Sequence, residues 1–176
     1  MTPDVLLRLA NQIEAANRTD LAESHESATV PLSNVLAYVR ALSWCYQAAH
    51  WQTRGSTFYA DHLLFERLYK ETDAQVDGLA EKAVGLTGSE AAVDPVDQST
   101  FVAVRVKQIC GTDTSATSCA PRMLAAEKAF LEKFMPAVML GLEHTGHLTD
   151  GLENALQGLM DEHESFVYLL EQRCKA

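Results

Sequence analysis

Apolar residues recur at steps of three and four along almost the whole chain, while alternation of apolar and polar residues at a period of two is nearly absent. Steps of three and four place apolar side chains on one face of a helix, whereas a half-buried strand needs the period of two. The pattern therefore predicts an all-α protein. A length of 176 residues is enough for one domain with a sizeable core.

Helix-capping residues and breaks divide this pattern into five predicted helices. Thr2-Pro3 begins a short leading helix that weakens through residues 17–27, so we expect an N-terminal extension over residues 1–28 and a helical bundle over residues 29–176. The four bundle helices are predicted to begin near Thr29, Ser56, Ala120 and Thr149 and to end near Arg54, Thr87, Gly146 and the C-terminus. Pro136 predicts a kink in the third of them.

Residues 88–120 form a long connection rich in Ser, Thr and Gly, in which only Phe101–Ile109 is apolar enough for a short helix. Structureless connections longer than about 12–15 residues are uncommon in compact domains. We therefore expect a crossover that joins two helical hairpins. Four long helices in two hairpins with a long crossover are the arrangement of a ferritin-like bundle.

The charge balance restricts the partners of the chain. Its 14 basic and 24 acidic residues give a formal net charge of −10, which repels phosphate backbones and anionic membrane surfaces. Binding to DNA is therefore not expected, whereas cations are favoured. The longest nearly continuous apolar run, Phe134–Leu142, is about half of a membrane span, and no basic leader precedes an apolar segment. These features predict a cytoplasmic protein.

The four cysteines show no Cys-x-x-Cys spacing, so a zinc site is not indicated. Their number is ordinary for a reducing compartment. Cys110 and Cys119 flank a loop rich in Gly, Ser and Thr, and a bridge between them is the expected product if the pair is oxidised. Two neighbouring thiols are the preferred interpretation.

Five residues carry candidate metal chemistry: His50 at the end of the second predicted helix, and His62, Glu66, Asp77 and Glu81 on the third. Residues four apart share a helix face, so His62 pairs with Glu66 and Asp77 pairs with Glu81. Nitrogen and carboxylate donors together suit iron and other first-row metals. Each pair is therefore a candidate half of a cation site.

One chain does not bring both halves together, because Glu66 and Asp77 are eleven residues, or about 16 Å, apart along a helix. A two-fold dimer with antiparallel copies of this helix places the first pair opposite the second pair of the partner. The alternative is that all five residues are surface charges of an acidic protein. The Glu-x-x-His pairs of a di-iron site within one bundle are missing from the sequence.

Several segments resemble the signature of the Dps (DNA-protection-during-starvation) miniferritins. These segments are Ala49–Gly55, Phe58, Asp61–Glu66, Val76–Lys82, Gly85–Gly88 and, in the last helix, Leu159–Phe166. The resemblance covers most of residues 30–173. Lys82 departs from it, since the family usually has Arg there, and the loss of a bidentate donor is expected to loosen an interfacial ion pair.

The resemblance implies a ferritin-like bundle assembled as a hollow dodecamer with ferroxidase centres at its two-fold interfaces. By this resemblance, His50, His62 and Glu66 come from one subunit, and Asp77 and Glu81 from its partner. The family oxidises Fe(II), usually with hydrogen peroxide and otherwise with oxygen, and stores the ferric product in the cavity. Two other interpretations stay open: a non-catalytic ferritin-like scaffold, and a manganese or zinc site that only holds a dimer together.

The remaining candidates are weaker. Trp51, beside the site, is either a quencher of stray oxidising equivalents or an aromatic anchor of the helix end. An acidic pore that attracts Fe(II) is one interpretation of His144, His147, Asp150 and Glu153, and an ordinary helix start with solvent-facing histidines is the stronger one. His163 falls on the apolar seam of the last helix and is predicted to be a hydrogen-bonded core residue rather than a ligand.

Overall fold

The computed structural model describes residues 3–111 and 119–175, with side chains from residue 28 onward within those ranges. The helices are α1 (Pro3–Gln52), α2 (Phe58–Thr87), a 3-10 helix (Glu90–Val93), α3 (Pro95–Cys110), α4 (Cys119–Ala129), a π-helical turn (Phe130–Phe134), α5 (Met135–His144) and α6 (Asp150–Lys175). None of these described residues lies in a β-strand. The predicted all-α class is confirmed.

Two hairpins form the bundle. In the first, α1 packs along α2, and in the second α4 and the π-helical turn pack against α6. Each of the four long segments contributes one aromatic side chain to the centre of the core, and Tyr46, Phe65, Phe130 and Phe166 are each no more than 2% exposed. Removing these large aromatic surfaces from water, together with the aliphatic side chains of the core, holds the four segments together.

The N-terminal part of the chain differs from the sequence prediction. A break before residue 29 was expected, but α1 is continuous through Pro31, so the separate leading helix is wrong. A proline inside a helix removes one hydrogen bond, and burial on both of its sides offsets that loss: Ala28 and Leu32 are each 5% exposed. The proposed boundary between residues 28 and 29 stays a prediction.

The crossover contains more helix than the sequence analysis expected. The helix predicted over Phe101–Ile109 is α3, which begins six residues earlier, at Pro95. Asp94 caps it, since its Oδ1 accepts from the backbone N–H of Val96 at 2.9 Å and of Asp97 at 3.0 Å. An Asp followed by Pro at the first helical position is a strong helix start, and this Asp-Pro signal was overlooked.

Pro136 distorts its helix, as predicted, but the distortion is a π-helical turn rather than a simple kink. The turn covers Phe130–Phe134, and the N–H of Met135 donates to the carbonyl of Phe130, five residues earlier. Proline has no N–H and its ring crowds the carbonyl four residues before it. A wider turn just ahead of Pro136 relieves this crowding while the chain stays helical.

Candidate metal centre

The turn between α1 and α2 brings His50 and His62 together. His50 lies in the last turn of α1 and His62 near the start of α2. Thr53 ends α1, since its N–H donates to the carbonyl of Ala49 and its hydroxyl to that of His50, both at 3.1 Å. The chain then reverses in five residues. Two histidines twelve positions apart in sequence therefore become neighbours.

The two imidazoles hold each other in place through the backbone. Nδ1 of His50 is 2.9 Å from the carbonyl oxygen of His62, and Nδ1 of His62 is 3.0 Å from the carbonyl oxygen of His50. The rings stack with their centroids 3.7 Å apart and an interplanar angle of 23°. Because a carbonyl oxygen only accepts, both Nδ1 atoms carry a proton, and Nε2 of each ring is the nitrogen that remains to bind a metal.

Aromatic neighbours fix the two rings from the outside. The ring of Phe58 stacks on His62 at 5.1 Å, and Tyr69 packs edge-on against His50 at 5.5 Å. Both histidines are half-buried. The pair is therefore a rigid, partly accessible set of two nitrogen donors, as a metal-binding site requires.

Glu66 lies one helical turn beyond His62 and is close enough to both imidazoles to feel their charge. Its Oε1 accepts a hydrogen bond from Nζ of Lys70 at 2.6 Å. The Lys70 ammonium holds the pKa of this carboxyl below its usual range, and the two histidines act in the same direction. Glu66 is therefore a carboxylate beside the imidazole pair. The Lys70 ammonium occupies one of its oxygens and competes with a metal ion for it.

Asp77 and Glu81 are exposed on α2, away from the histidine pair. At 100° per residue, Asp77 points within about 20° of Glu66, but it lies about 16 Å further along the axis. Residues 28–111 and 119–175 contain no group of three or more His, Cys, Asp or Glu side chains arranged to hold a metal ion. A single chain thus brings His50, His62 and Glu66 near one another and leaves Asp77 and Glu81 apart. The carboxylates of Glu66, Asp77 and Glu81 nevertheless lie on one face of α2.

Large apolar side chains surround this region and are open to solvent in the single chain. The exposed fractions are 58% for Trp44, 66% for Trp51, 45% for Phe58, 72% for Tyr59 and 44% for Leu63. An anchor that closes the end of α1 against its own bundle would be buried, so that interpretation of Trp51 is wrong. Several large apolar side chains exposed on the last turns of α1 and the first turns of α2 are typical of a protein interface.

A second set of contacts, overlooked in the sequence, fixes the start of α2 to the end of α6. The guanidinium of Arg173 forms a two-point salt bridge with Asp61. The hydroxyl of Thr57 donates to Oδ2 of Asp61 at 2.8 Å and accepts from Nη2 of Arg173 at 3.1 Å. Arg173 holds the pKa of Asp61 below its usual range. Asp61 directly precedes His62, so this bridge anchors the first turn of α2, which carries His62.

A buried polar chain crosses the centre of the bundle. Glu127, on α4, accepts from the Tyr46 hydroxyl at 2.5 Å and pairs with Nδ1 of His163 at 2.7 Å. Nε2 of His163 is 3.1 Å from Oε1 of Gln75. Glu127 and His163 are each fully buried, and burial next to Glu127 raises the pKa of Tyr46 well above its usual range. The prediction that His163 is a hydrogen-bonded core residue is confirmed.

The candidate pore residues lie near the turn that joins α5 to α6. His144 is exposed and ends α5, while Asp150 begins α6. The side chain of Thr149 accepts from the N–H of Leu152 at 3.2 Å, which caps α6. The predicted helix start at Thr149 or Asp150 is confirmed, and a pore at His144, His147, Asp150 and Glu153 stays a prediction. No helix in the described part of the chain combines the length and apolarity needed to cross a membrane.

Comparison with known sequences gives short matches. No family model matches the chain. General stress protein 20U of Bacillus subtilis is 35% identical over 66 residues, 38% of this chain and 43% of that protein. A protein of Kitasatospora aureofaciens, described as uncharacterized in the bpoA2 5' region, is 42% identical over 64 residues, 36% of this chain and 42% of that protein. The matched segments thus span less than half of either relative.

Comparison with solved structures gives matches over most of the chain. Dps from Thermosynechococcus elongatus has a TM-score of 0.72 at 20% identity, covering 88% of this chain and 94% of that one. A Dps protein from Vibrio cholerae, described as a member of a broad superfamily of ferritin-like diiron-carboxylate proteins, has a TM-score of 0.71 at 18% identity, covering 87% and 92%. DpsC from Streptomyces coelicolor has a TM-score of 0.69 at 24% identity, covering 86% of each chain. The chain therefore has the ferritin-like fold of Dps proteins.

Proposed function

We propose that the chain is the subunit of a Dps-type miniferritin of the cytoplasm. In this proposal it oxidises Fe(II) with hydrogen peroxide at centres shared between two subunits and stores the ferric product inside a hollow homo-oligomer, a dodecamer by its resemblance to the family. The observation that carries the proposal is the His50–His62 pair, whose two Nε2 atoms remain as donors beside the Glu66 carboxylate.

The remaining ligands come, in this proposal, from a second copy of the chain. Glu66, Asp77 and Glu81 lie within about 60° of one another around α2, so one exposed face carries all three. Two antiparallel copies of α2 across a two-fold axis bring Asp77 and Glu81 of one copy towards His62 and Glu66 of the other. The exposed aromatic residues around the turn supply the apolar surface that such an interface buries.

The proposed ligands fit the chemistry of iron oxidation. Imidazole nitrogens and carboxylates bind Fe(II) and retain Fe(III), and the carboxylates offset the cationic charge that two ions bring together. Two Fe(II) ions each give one electron to hydrogen peroxide, the O–O bond breaks, and two protons complete two molecules of water. Because both electrons are delivered at one place, no hydroxyl radical is released. In this proposal Trp51, which is exposed and next to His50, reduces a stray oxidant.

Binding to DNA is not part of the proposed function. The formal net charge of −10 opposes association with a phosphate backbone. We expect no retained complex in a gel-shift assay at about 150 mM salt.

A peroxide pulse tests the proposed function. The purified protein is loaded with Fe(II) without oxygen and then mixed with hydrogen peroxide, and absorbance and sedimentation are followed on the same sample. We expect rapid formation of a soluble ferric species that sediments with the protein. His62→Ala and Asp77→Ala are each expected to slow oxidation by about tenfold or more.

Asp161→Ala, at an exposed position of α6, is the matched control and is expected to keep the wild-type rate. Oxidation of wild-type protein no faster than in buffer contradicts the proposed activity and leaves a ferritin-like scaffold. Tight binding of manganese or zinc without oxidation of iron would assign the histidines and carboxylates to a metal site that only holds a dimer together.

A further inference from the structure

Three of the four cysteines lie in the region where α1, α3 and α4 come together. Sγ of Cys45, on α1, is 3.3 Å from Sγ of Cys110, the last residue of α3. Cys119, at the start of α4, is 3.9 Å from Oε1 of Gln52 and 3.6 Å from Nη2 of Arg122. The structure thus places Cys110 against Cys45, whereas the sequence had suggested Cys119 as its neighbour.

The two sulfur atoms are held together by the packing of α3 on α1. At one end, Nε2 of Gln98 donates to the carbonyl and hydroxyl oxygens of Ser33 at 3.0 and 2.8 Å. Further along, the guanidinium of Arg105 lies over the ring of Tyr38 at 5.1 Å. A disulfide has an S–S distance of about 2.05 Å, so closing the pair needs an approach of about 1.3 Å. Small side-chain rotations supply such a movement without separating the helices.

The two thiols differ in their surroundings. Cys45 is 2% exposed, and burial together with the neighbouring Cys110 raises the pKa of its thiol. Cys110 is half-buried at the end of its helix. An oxidant in solvent therefore meets Cys110 first, while Cys45 lies behind it at contact distance. An accessible thiol with a second thiol in reach is the arrangement that turns an oxidised cysteine into a disulfide.

We propose that Cys45 and Cys110 are a peroxide-reactive thiol pair that closes to a disulfide between α1 and α3. The Cys110 thiol releases its proton and the thiolate attacks hydrogen peroxide, an S–O bond forms and the O–O bond breaks, and the leaving hydroxide takes up the released proton to become water. The Cys45 sulfur then attacks the sulfenic acid sulfur, an S–S bond forms, the S–O bond breaks, and a second water leaves. Two thiols and one peroxide give one disulfide and two waters, so two electrons pass from sulfur to oxygen.

This reaction needs no iron and does not rest on the proposed ferroxidase activity. Its product joins residues 65 positions apart and fixes the crossover helix to the bundle. Closing a long loop restricts the unfolded chain. The oxidised protein is therefore expected to melt at a higher temperature than the reduced protein.

The test uses the assembled wild-type protein, reduced, freed of metal with a chelator and exposed to about one hydrogen peroxide per chain. Residual thiols are then alkylated in denaturant, and peptides are mapped by mass spectrometry. We expect a mass loss of about 2 Da per chain, two thiols protected from alkylation, and one cross-linked peptide pair containing Cys45 and Cys110. Dithiothreitol is expected to reverse all three changes.

Cys174→Ser is the matched control. Cys174 is exposed on α6, and its replacement is expected to leave the cross-link between Cys45 and Cys110 unchanged. Cys110→Ser is expected to abolish the cross-link. A Cys110–Cys119 peptide, sulfinic or sulfonic acid at Cys110 without a cross-link, or four alkylated thiols after peroxide treatment each overturn the proposal. The mapping on wild-type protein decides among these outcomes even if a variant folds poorly.

Discussion

The orientation of His50 and His62 is set by backbone carbonyl groups. Each ring donates from Nδ1 to the carbonyl of the other residue, so Nε2 is the nitrogen that remains on each ring. The sequence predicts both histidines as ligands, from the pairing of His62 with Glu66 four residues later and from the resemblance to Dps miniferritins. Their mutual hydrogen bonds were not predictable, because they depend on how the five residues between α1 and α2 reverse the chain.

Lys70 is expected to oppose metal binding at Glu66. Its ammonium donates to Oε1 of Glu66 at 2.6 Å and adds positive charge where a cation would bind. An exposed pair of this kind is weak because solvent screens it, so Lys70→Gln should tighten metal binding by no more than roughly fivefold. Isothermal titration calorimetry with Co(II), used without added peroxide, measures the change in metal affinity.

Arg67→Gln is the control for this experiment. Arg67 forms the same type of pair with Glu71 at 2.8 Å, on the same helix but away from the histidines. Its removal is expected to change the affinity less than the removal of Lys70. Unchanged or weaker binding in Lys70→Gln would contradict the account of Glu66.

Buried polar residues mark the limit of sequence reasoning for single positions. His163 was predicted as a satisfied core residue because it falls on an apolar seam, and both of its ring nitrogens have partners. Glu127 was overlooked, although it is fully buried, because its partners Tyr46 and His163 are distant in sequence. Pairing of this type becomes visible only when four helices are assembled.

The helices themselves were largely predictable, and the errors have local causes. The long bundle helices follow from apolar periodicity and caps, such as Gly88 in the left-handed conformation after α2. The start of α3 was misplaced because the Asp94-Pro95 cap was not recognised. The break predicted before residue 29 is absent since burial on both sides of Pro31 outweighs its missing hydrogen bond.

The bridge between Asp61 and Arg173 links α2 to α6 and makes stability depend on pH. Arg173 lowers the pKa of Asp61 in the folded state. The bridge therefore contributes its full stabilisation at pH values above the ordinary carboxyl pKa of about 3.9. This contribution is lost as the pH falls through the lowered pKa of the folded state. Asp61→Asn is expected to lower the free energy of unfolding by about 2 kcal/mol near neutral pH.

Melting temperatures followed by circular dichroism check this effect. The difference between wild type and Asp61→Asn should shrink as the pH is lowered from 7 towards about 3, because the wild-type carboxyl then becomes neutral too. Asp161→Asn, at an exposed position of α6, is expected to match wild type throughout. A difference that does not vary with pH would show that the charge of Asp61 is unimportant.

The surface of the single chain points to assembly. Its two tryptophans, Trp44 and Trp51, are 58% and 66% exposed and lie seven residues apart, within about 20° of one another around α1. Glu66, Asp77 and Glu81 share one exposed or half-buried face of α2. The separation of about 16 Å between Glu66 and Asp77 along α2 is the reason why the proposed centre needs two chains. The number of subunits depends on contacts that helical periodicity does not encode, so the dodecamer stays a proposal.

Co-assembly of two inactive variants is the most direct test of a centre shared between subunits. His62→Ala and Asp77→Ala are co-expressed with different tags, and peroxide-driven Fe(II) oxidation is measured on the mixed oligomers. In a mixed two-fold pair one centre carries both substitutions and the other carries neither. Random pairing makes half of the pairs mixed, so we expect about a quarter of the wild-type rate. Mixtures of His62→Ala with Glu66→Ala, which damage the same half of the centre, should stay inactive. The shared centre would be contradicted if mixed oligomers of His62→Ala and Asp77→Ala are no more active than either variant alone.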